Sequence, residues 1–144
     1  LGKDRAKGIQ EANERRRRQA EVIGLLAQHR LPGGARYAIV GDMNDPPDSP
    51  FLAPFAGPGA LGLVNALKTP KETQPAKEDT PPPKTKAWTH RFKESGKPAR
   101  YELYDHIWLS PALAGGLKGA WIGRRSKHGG DGSDHDPAWV GIDV

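Results

Sequence analysis

The sequence predicts a mixed α/β domain, and three observations support this class. They are an amphipathic helix pattern near the N-terminus, several short apolar runs typical of strands, and polar turns that directly follow or precede those runs. At 144 residues the chain has the length of one ordinary domain, so we treat residues 1–144 as one unit. Hydrophobic residues make up only 35% of the chain, against 18 glycines and 14 prolines, so we expect a modest core and many loops.

The helix and strand predictions follow from the spacing of apolar residues. Such residues recur at three- and four-residue intervals from about Asn13 to His29, and the Pro32-Gly33-Gly34 run predicts the end of that helix. Ser49 and Pro50 predict the N-cap and first residue of a short helix reaching Phe55. A buried strand is expected over residues 36–40. Further strands are expected over residues 88–92, 104–110, 120–123 and 138–144.

Residues 65–87 show neither the helical nor the strand-like spacing of apolar residues. Five prolines and many charges lie between Lys68 and Lys86, and Pro81-Pro82-Pro83 suits neither a helix nor a central strand. This segment is therefore predicted to be a solvated loop insertion. The remaining order, a helix and then several strands, fits a layered α/β architecture whose sparse sheet leaves one face uncovered.

The formal net charge of +5 lies entirely in the N-terminal segment. Residues 1–36 hold nine Lys or Arg against four Asp or Glu, whereas residues 37–144 hold thirteen of each. Arg15-Arg16-Arg17-Arg18 lies at the centre of this basic segment. Two interpretations are open, a surface that binds phosphate groups or the solvated face of a helix.

Composition leaves the cellular location undecided. The chain has no cysteine, which excludes disulfides and thiolate metal sites. No apolar run approaches the ~20 residues of a membrane span, so no membrane span is expected. The first residues lead into charge rather than into the apolar stretch of a secretory signal. Because the chain does not begin with Met, cytoplasmic and secreted locations both remain open.

The first candidate site is Gly41-Asp42-Met43-Asn44-Asp45, directly after an apolar run. On an extended backbone Asp42 and Asn44 point to the same side, where a carboxylate and an amide hold a metal-bound water and orient a phosphoryl oxygen. Asp45 then points elsewhere and belongs to the turn with Pro46 and Pro47. The alternative is that Asp42 and Asn44 merely cap this turn.

The second candidate site is Ser133-Asp134-His135, just before the last apolar run. The Asp134 carboxylate suits Mg²⁺ or Mn²⁺, whereas the His135 imidazole suits proton transfer or a phosphate contact. Asp105, at the start of a predicted strand, is a candidate acceptor for a hydrogen bond from the His135 ring. Its alternative role is that of a strand-edge cap.

Together these segments resemble the endonuclease/exonuclease/phosphatase superfamily, which has the DNase I-like fold. The matching residues are Gly41 to Asp45, Tyr104-Asp105-His106-Ile107 and Ser133-Asp134-His135, and they occur in the superfamily's order. The resemblance implies part of a four-layer α/β sandwich, namely one half with mostly antiparallel strands. It also implies a hydrolase that cleaves phosphoesters with Mg²⁺ or Mn²⁺.

The resemblance also implies a role for each matched residue. Asp42 and Asn44 position the attacking water and the phosphate, and Asp134 together with Asp42 holds the metal. Asp105 orients His135, which acts as a base or contacts the phosphate. From their charge alone, His90 and Arg124 are further candidates for substrate binding, with ordinary loop cations as the alternative.

The resemblance covers only the C-terminal half of the superfamily's domain. The half that supplies a metal-binding Glu has no counterpart in this chain, so we expect a fragment that needs its N-terminal half or a second chain. A nuclease or other phosphodiesterase is the leading expectation, because the basic segment attracts a polyanion such as nucleic acid. A phosphatase or phospholipase of the same superfamily, or a non-catalytic half-domain that docks with a partner chain, are the alternatives.

Overall fold

The computed structural model describes residues 2–57, 59–74, 79–125, 127 and 132–144. A short 3₁₀ turn, Pro50–Leu52, precedes the second helix. Within these residues the helices are α1 (Gly2–Arg30), α2 (Ala53–Ala56) and α3 (Pro111–Ala114). The strands are β1 (Ala38–Asp42), β2 (Val64–Asn65), β3 (Lys71–Glu72), β4 (His90–Phe92), β5 (Arg100–Glu102), β6 (Asp105–Leu109), β7 (Leu117–Ile122) and β8 (Ala138–Ile142). None of the described helices is long and apolar enough to cross a membrane.

The strands form two three-stranded sheets and one hairpin. The first sheet has the order β1-β6-β2, the second has the order β3-β7-β8, and β4 pairs with β5. Every pairing among the described residues is antiparallel except that of β3 with β7. This confirms the predicted mixed α/β class with mostly antiparallel strands.

Strand β6 separates two hydrophobic cores because its successive side chains point to opposite faces. Trp108 packs against Ala20 of α1 and Phe55 of α2 on one face. Ile107 packs on the other face against a cluster that includes Ile122 of β7. The layers are therefore helices, first sheet and second sheet, in that order.

Helix α1 begins eleven residues before its predicted start at about Asn13. Only its C-terminal half touches a core, through Ala20, while residues 2–11 are all exposed. The three- and four-residue spacing of apolar residues arises only where a helix faces a core. This spacing could therefore not predict the exposed half of α1. The i,i+4 pair of Lys7 with Glu11, together with helix formers such as Ala6 and Gln10, supports that half instead.

Two further predictions need correction. The first sheet strand was expected to be buried over residues 36–40, yet β1 spans Ala38–Asp42 and Val40 is 63% exposed. The segment over residues 65–87, predicted to be a solvated loop insertion, contains Leu67, which is fully buried in the second core, and strand β3. By contrast, Ser49 caps the 3₁₀ turn at Pro50 as predicted.

A buried ion cluster joins segments that are distant in the sequence. The Arg124 guanidinium, 1% exposed, donates to Glu72 of β3 at 2.8 Å and to Asp136 at 2.9 Å. It also donates to the backbone carbonyl oxygens of Lys86 and Trp88 at 2.6 and 2.8 Å. The guanidinium carbon lies 3.6 Å from the ring centroid of Trp88, which adds a cation–π contact.

We predict that Arg124→Ala lowers the free energy of unfolding by about 3–5 kcal/mol, because it removes the buried charge that Asp136 and Glu72 share and leaves Asp136 to Arg125 and Glu72 to the exposed Lys86 at 3.9 Å. Urea denaturation measures this change. The control is Lys118→Ala, which removes the exposed ion pair between Lys118 and Asp143 and should cost less than about 1 kcal/mol. Equal unfolding midpoints for the two variants would show that the buried cluster does not hold these segments together.

Candidate active site

The antiparallel register of β1 and β6 brings two carboxylates together. Asp42, the last residue of β1, lies directly opposite Asp105, the first residue of β6. The Met43 N–H donates to the Tyr104 carbonyl at 2.7 Å and extends the pairing by one residue. Directly opposed residues point to the same face of a sheet, so both carboxylates lie at one corner of the first sheet.

Thr89 ties the turn that carries His135 to the same corner. Its side chain is fully buried, and its hydroxyl accepts hydrogen bonds from the backbone N–H groups of Asp105 at 3.1 Å and Tyr104 at 3.3 Å. Its carbonyl accepts from the Asp136 N–H at 2.7 Å. Next to it, His90 and His135 form an isolated antiparallel bridge. One small residue therefore fixes the backbones on both sides of the site.

His135 is held in the site by a short contact between its ring and a carboxylate. Its Nδ1 lies 2.6 Å from Oδ2 of Asp105. Its Nε2 lies 4.0 Å from Oδ2 of Asp42 and 3.9 Å from Oδ1 of Asp134. The ring is thus held at one nitrogen, while the other faces two carboxylates from outside hydrogen-bond range. The predicted contact between Asp105 and His135 is present.

The carboxylates set the protonation of this ring. Burial by itself lowers the pKa of His135, but the hydrogen bond to Asp105 and the charges of Asp105, Asp42 and Asp134 outweigh it, and the pKa lies above its ordinary value. The pKa of Asp134 is lowered, first by a hydrogen bond from its own backbone N–H and further by the two neighbouring histidines. The site therefore favours an ionised Asp134 beside a readily protonated imidazole.

His90 lies inside the site rather than in a remote loop. Its Nε2 is 3.3 Å from Oδ2 of Asp134, and its ring centroid is 4.8 Å from that of His135. The ring of Tyr104 stacks on it at 5.2 Å with an interplanar angle of 21°. We call the five residues Asp42, His90, Asp105, Asp134 and His135 the His135 cluster.

The structure changes the interpretation of two predicted site residues, Asn44 and Arg124. The chain does not continue as a strand past Asp42, because Asn44 adopts a left-handed conformation with φ of 51° and its N–H donates to Oδ1 of Asp42 at 2.9 Å. The argument that Asp42 and Asn44 point the same way on an extended backbone therefore fails, although Asn44 stays exposed beside Asp42. Arg124 is buried in the ion cluster that joins β3 to Asp136, and its donors are used there rather than offered to a substrate.

Sequence reasoning missed the residues that hold the Ser133–His135 turn. The Arg125 guanidinium donates to Asp136 at 2.8 Å and to the Ser133 carbonyl at 2.6 Å. Asp136 is only 3% exposed and also pairs with Arg124. The sequence gives only a weak indication that Asp136 matters, namely that it is a third polar residue directly after the two candidates Asp134 and His135. Nothing in the sequence marks Thr89, whose role depends on backbone groups from three segments.

His106 follows Asp105 but takes no part in the cluster. Its side chain is buried, its Nε2 lies 2.9 Å from the Leu103 carbonyl oxygen, and its Nδ1 accepts from the Trp108 indole at 3.1 Å. Burial lowers its pKa, so the ring is held neutral. It therefore has a structural role.

Two overlapping groups within the His135 cluster have donor atoms close enough to share a metal ion. One contains Asp42, Asp105 and His135, and the other contains His90, Asp134 and His135, with all donor atoms of a group within 4.8 Å of one another. No glutamate joins either group in the part of the chain that the structure describes. Carboxylate oxygens are ligands that Mg²⁺ and Mn²⁺ prefer, so the acidic members fit such an ion.

The carboxylates and imidazoles that meet at this corner of the sheet are groups that metal-assisted hydrolysis can use. The model of the endonuclease/exonuclease/phosphatase family matches residues 10–135. The match covers most of the chain, and the protein belongs to this family, whose members are generally hydrolytic enzymes. No curated protein and no solved structure matches the chain significantly.

We predict that Asp105→Asn lowers the pKa of His135, because it removes both a charge and a charged hydrogen-bond acceptor. A folded-state pKa above the unfolded value means that protonated His135 stabilises the fold. This stabilisation is complete below the unfolded pKa and is lost as the pH rises through the folded one. NMR titration of the imidazole signals measures the shift. Asp143→Asn, beyond the far end of β8, is the control, and equal titration curves in both variants would contradict the prediction.

Proposed function

We propose that this domain hydrolyses phosphoesters with the help of Mg²⁺ or Mn²⁺. The observation that carries the proposal is His135, held by Asp105 at 2.6 Å with its Nε2 facing Asp42 and Asp134. A histidine oriented by a carboxylate is a stronger base, and its protonated form is a cation suited to a phosphate oxygen. The family match supports the reaction class in general terms.

The roles proposed for the side chains follow from their positions. His135 takes a proton from the attacking water through Nε2 or, when protonated, donates to a phosphoryl oxygen. Asp105 fixes the ring and stabilises its protonated form. Asp42 and the neighbouring Asn44 orient the water and the phosphate. Asp42 and Asp134 would hold Mg²⁺ or Mn²⁺, which when bound offsets the negative charge that develops on the phosphoryl oxygens.

A phosphodiester in nucleic acid is the leading substrate class in this proposal. The supporting observation is the basic helix α1, whose exposed N-terminal half lies clear of the cores. Part of its charge is already paired, since Arg17 donates to Glu14 and Glu21 and Arg18 donates to Glu14. Arg15 is also exposed. The partial neutralisation weakens the attraction, so a phosphatase or phospholipase activity stays as the second candidate.

We further propose that another segment or a partner chain completes the site. Apolar surface of both sheets supports this. Trp121 and Trp139 stack on the face of the second sheet opposite the core, and Trp139 is 43% exposed. A groove of about 530 Å³ between α1 and β1 is lined by Ile23 and by Val40, which is 63% exposed. Surfaces of this kind commonly mark contacts with further protein. A non-catalytic half-domain that only docks there is the alternative.

In the full-length natural protein that contains these residues, His135→Ala should lower Mg²⁺-dependent phosphodiester cleavage by about 10²–10⁴-fold, the usual contribution of a positioned acid–base group. Asp134→Ala should lower it as well, because it removes a proposed metal ligand. Initial rates on a chromogenic phosphodiester and on DNA measure the loss. Glu94→Gln, in the turn between β4 and β5, is the matched control and should keep the normal rate. Near-normal rates for both alanine variants would rule out the proposed mechanism.

The 144-residue chain by itself should show little hydrolysis, because in this proposal the described residues supply only part of the metal site. The measurement is the rate with Mg²⁺ or Mn²⁺, with and without EDTA, on protein shown pure by intact mass. Robust hydrolysis that EDTA abolishes would refute the need for a further segment or chain. The same result would still support metal-dependent catalysis.

A further inference from the structure

His90 is the member of the His135 cluster that the proposed reaction does not use. Its side chain is 14% exposed and its Nε2 approaches the Asp134 carboxylate at 3.3 Å. Together with His135, the group offers two imidazole nitrogens and one carboxylate oxygen within 4.8 Å of one another. Imidazole nitrogen favours zinc and other transition-metal ions, whereas Mg²⁺ favours oxygen. The ligand chemistry of this group therefore differs from that of the acidic residues.

The separations between these donor atoms suit a zinc ion. Ligands about 2.0–2.1 Å from a tetrahedral centre lie about 3.3–3.4 Å apart. His90 Nε2 lies 3.3 Å from Oδ2 of Asp134, His135 Nε2 lies 3.9 Å from Oδ1 of the same carboxylate, and one donor atom from each of the three residues lies within 4.8 Å of the others. The Asp134 side chain is 75% exposed, so it is free to turn and close the longer gap. Three protein ligands with an open fourth position are typical of zinc sites that exchange their remaining ligand.

Both rings are already held in place for such a role. The bridge between His90 and His135 puts their side chains on the same face, and Tyr104 stacks on His90. Asp105 lies 2.6 Å from Nδ1 of His135, which leaves Nε2 as the nitrogen for a metal. A carboxylate behind a histidine in this way is the usual partner of a metal-ligating imidazole.

We propose that His90, Asp134 and His135 form a binding site for a transition-metal ion of the zinc type. Occupation of this site uses the Nε2 lone pair of His135, so the ring no longer accepts a proton or contacts a phosphate. The following consequence rests on the proposed function. Zinc inhibits Mg²⁺-dependent hydrolysis, because it binds His135 and Asp134, which the proposed reaction needs. His90 makes the site selective, because Mg²⁺ gains little from an imidazole ligand.

Isothermal titration calorimetry of the 144-residue chain with ZnCl₂, in the absence of Mg²⁺ and substrate, tests the binding. His90→Gln should weaken zinc affinity by at least about 10-fold, since loss of even an outer-sphere partner of a metal ligand costs about 10–100-fold. Asp134→Asn, a change in an exposed side chain, should weaken it as well. In the wild-type NMR spectrum, zinc should shift the ring signals of both His90 and His135. It should shift those of His90 more than Mg²⁺ does, because the proposed Mg²⁺ site touches His90 only through Asp134.

His29→Gln is the matched control, because His29 is an exposed histidine in the last turn of α1, and this variant should bind zinc as the wild type does. Equal zinc affinity in the wild type, His90→Gln and Asp134→Asn would overturn the proposal, as would unmoved His90 signals. Zinc binding is measured without any catalytic assay, so a failure of the zinc site can be distinguished from a failure of the proposed hydrolytic function. Zinc binding through His90 in a protein that lacks hydrolytic activity would support this site and count against the proposed function alone.

Discussion

The pairing of β1 with β6 is the constraint on which the rest of the structure depends. Its register sets Asp42 opposite Asp105, and the alternation along β6 sends Trp108 to one core and Ile107 to the other. A shift of one residue would separate the two carboxylates and turn the core side chains of β6 to the wrong faces. The same pairing therefore determines both the packing of the layers and the position of Asp42 and Asp105 at the corner of the first sheet. A change in the register would alter both together.

The second requirement is to hold the Ser133–His135 turn against that corner, and buried charge does this. Asp136 lies one residue after His135 and pairs with Arg124 and Arg125, while its N–H is bound by the Thr89 carbonyl. Charges this deeply buried are stable only when their partners are in place, so the turn has few alternative conformations. His135 is thus anchored through its neighbour rather than through its own packing.

Much of the fold followed from local patterns, and the parts that did not depend on distant contacts. The Ser49 cap, the helical turn at Pro111 and the pairing of Asp105 with His135 were predicted correctly, since each follows from a short signature. The interpretation of Arg124 as a candidate for substrate binding, or alternatively as a loop cation, missed its buried position because its partners Glu72 and Asp136 lie 52 and 12 residues away. For the same reason, no local pattern could reveal that His90 faces Asp134 or that Thr89 joins three segments.

The outer edge of β1 has a consequence for the behaviour of the chain in solution. Among the described residues, β1 has a hydrogen-bonded neighbour on one side only, β6. The other side is a row of backbone donors and acceptors beside the exposed Val40, with no lysine or proline between Ala38 and Asp42 to discourage pairing. Such an edge is a template for any extended segment, including the same edge of another molecule. Concentrated preparations of this chain should therefore self-associate through backbone hydrogen bonds.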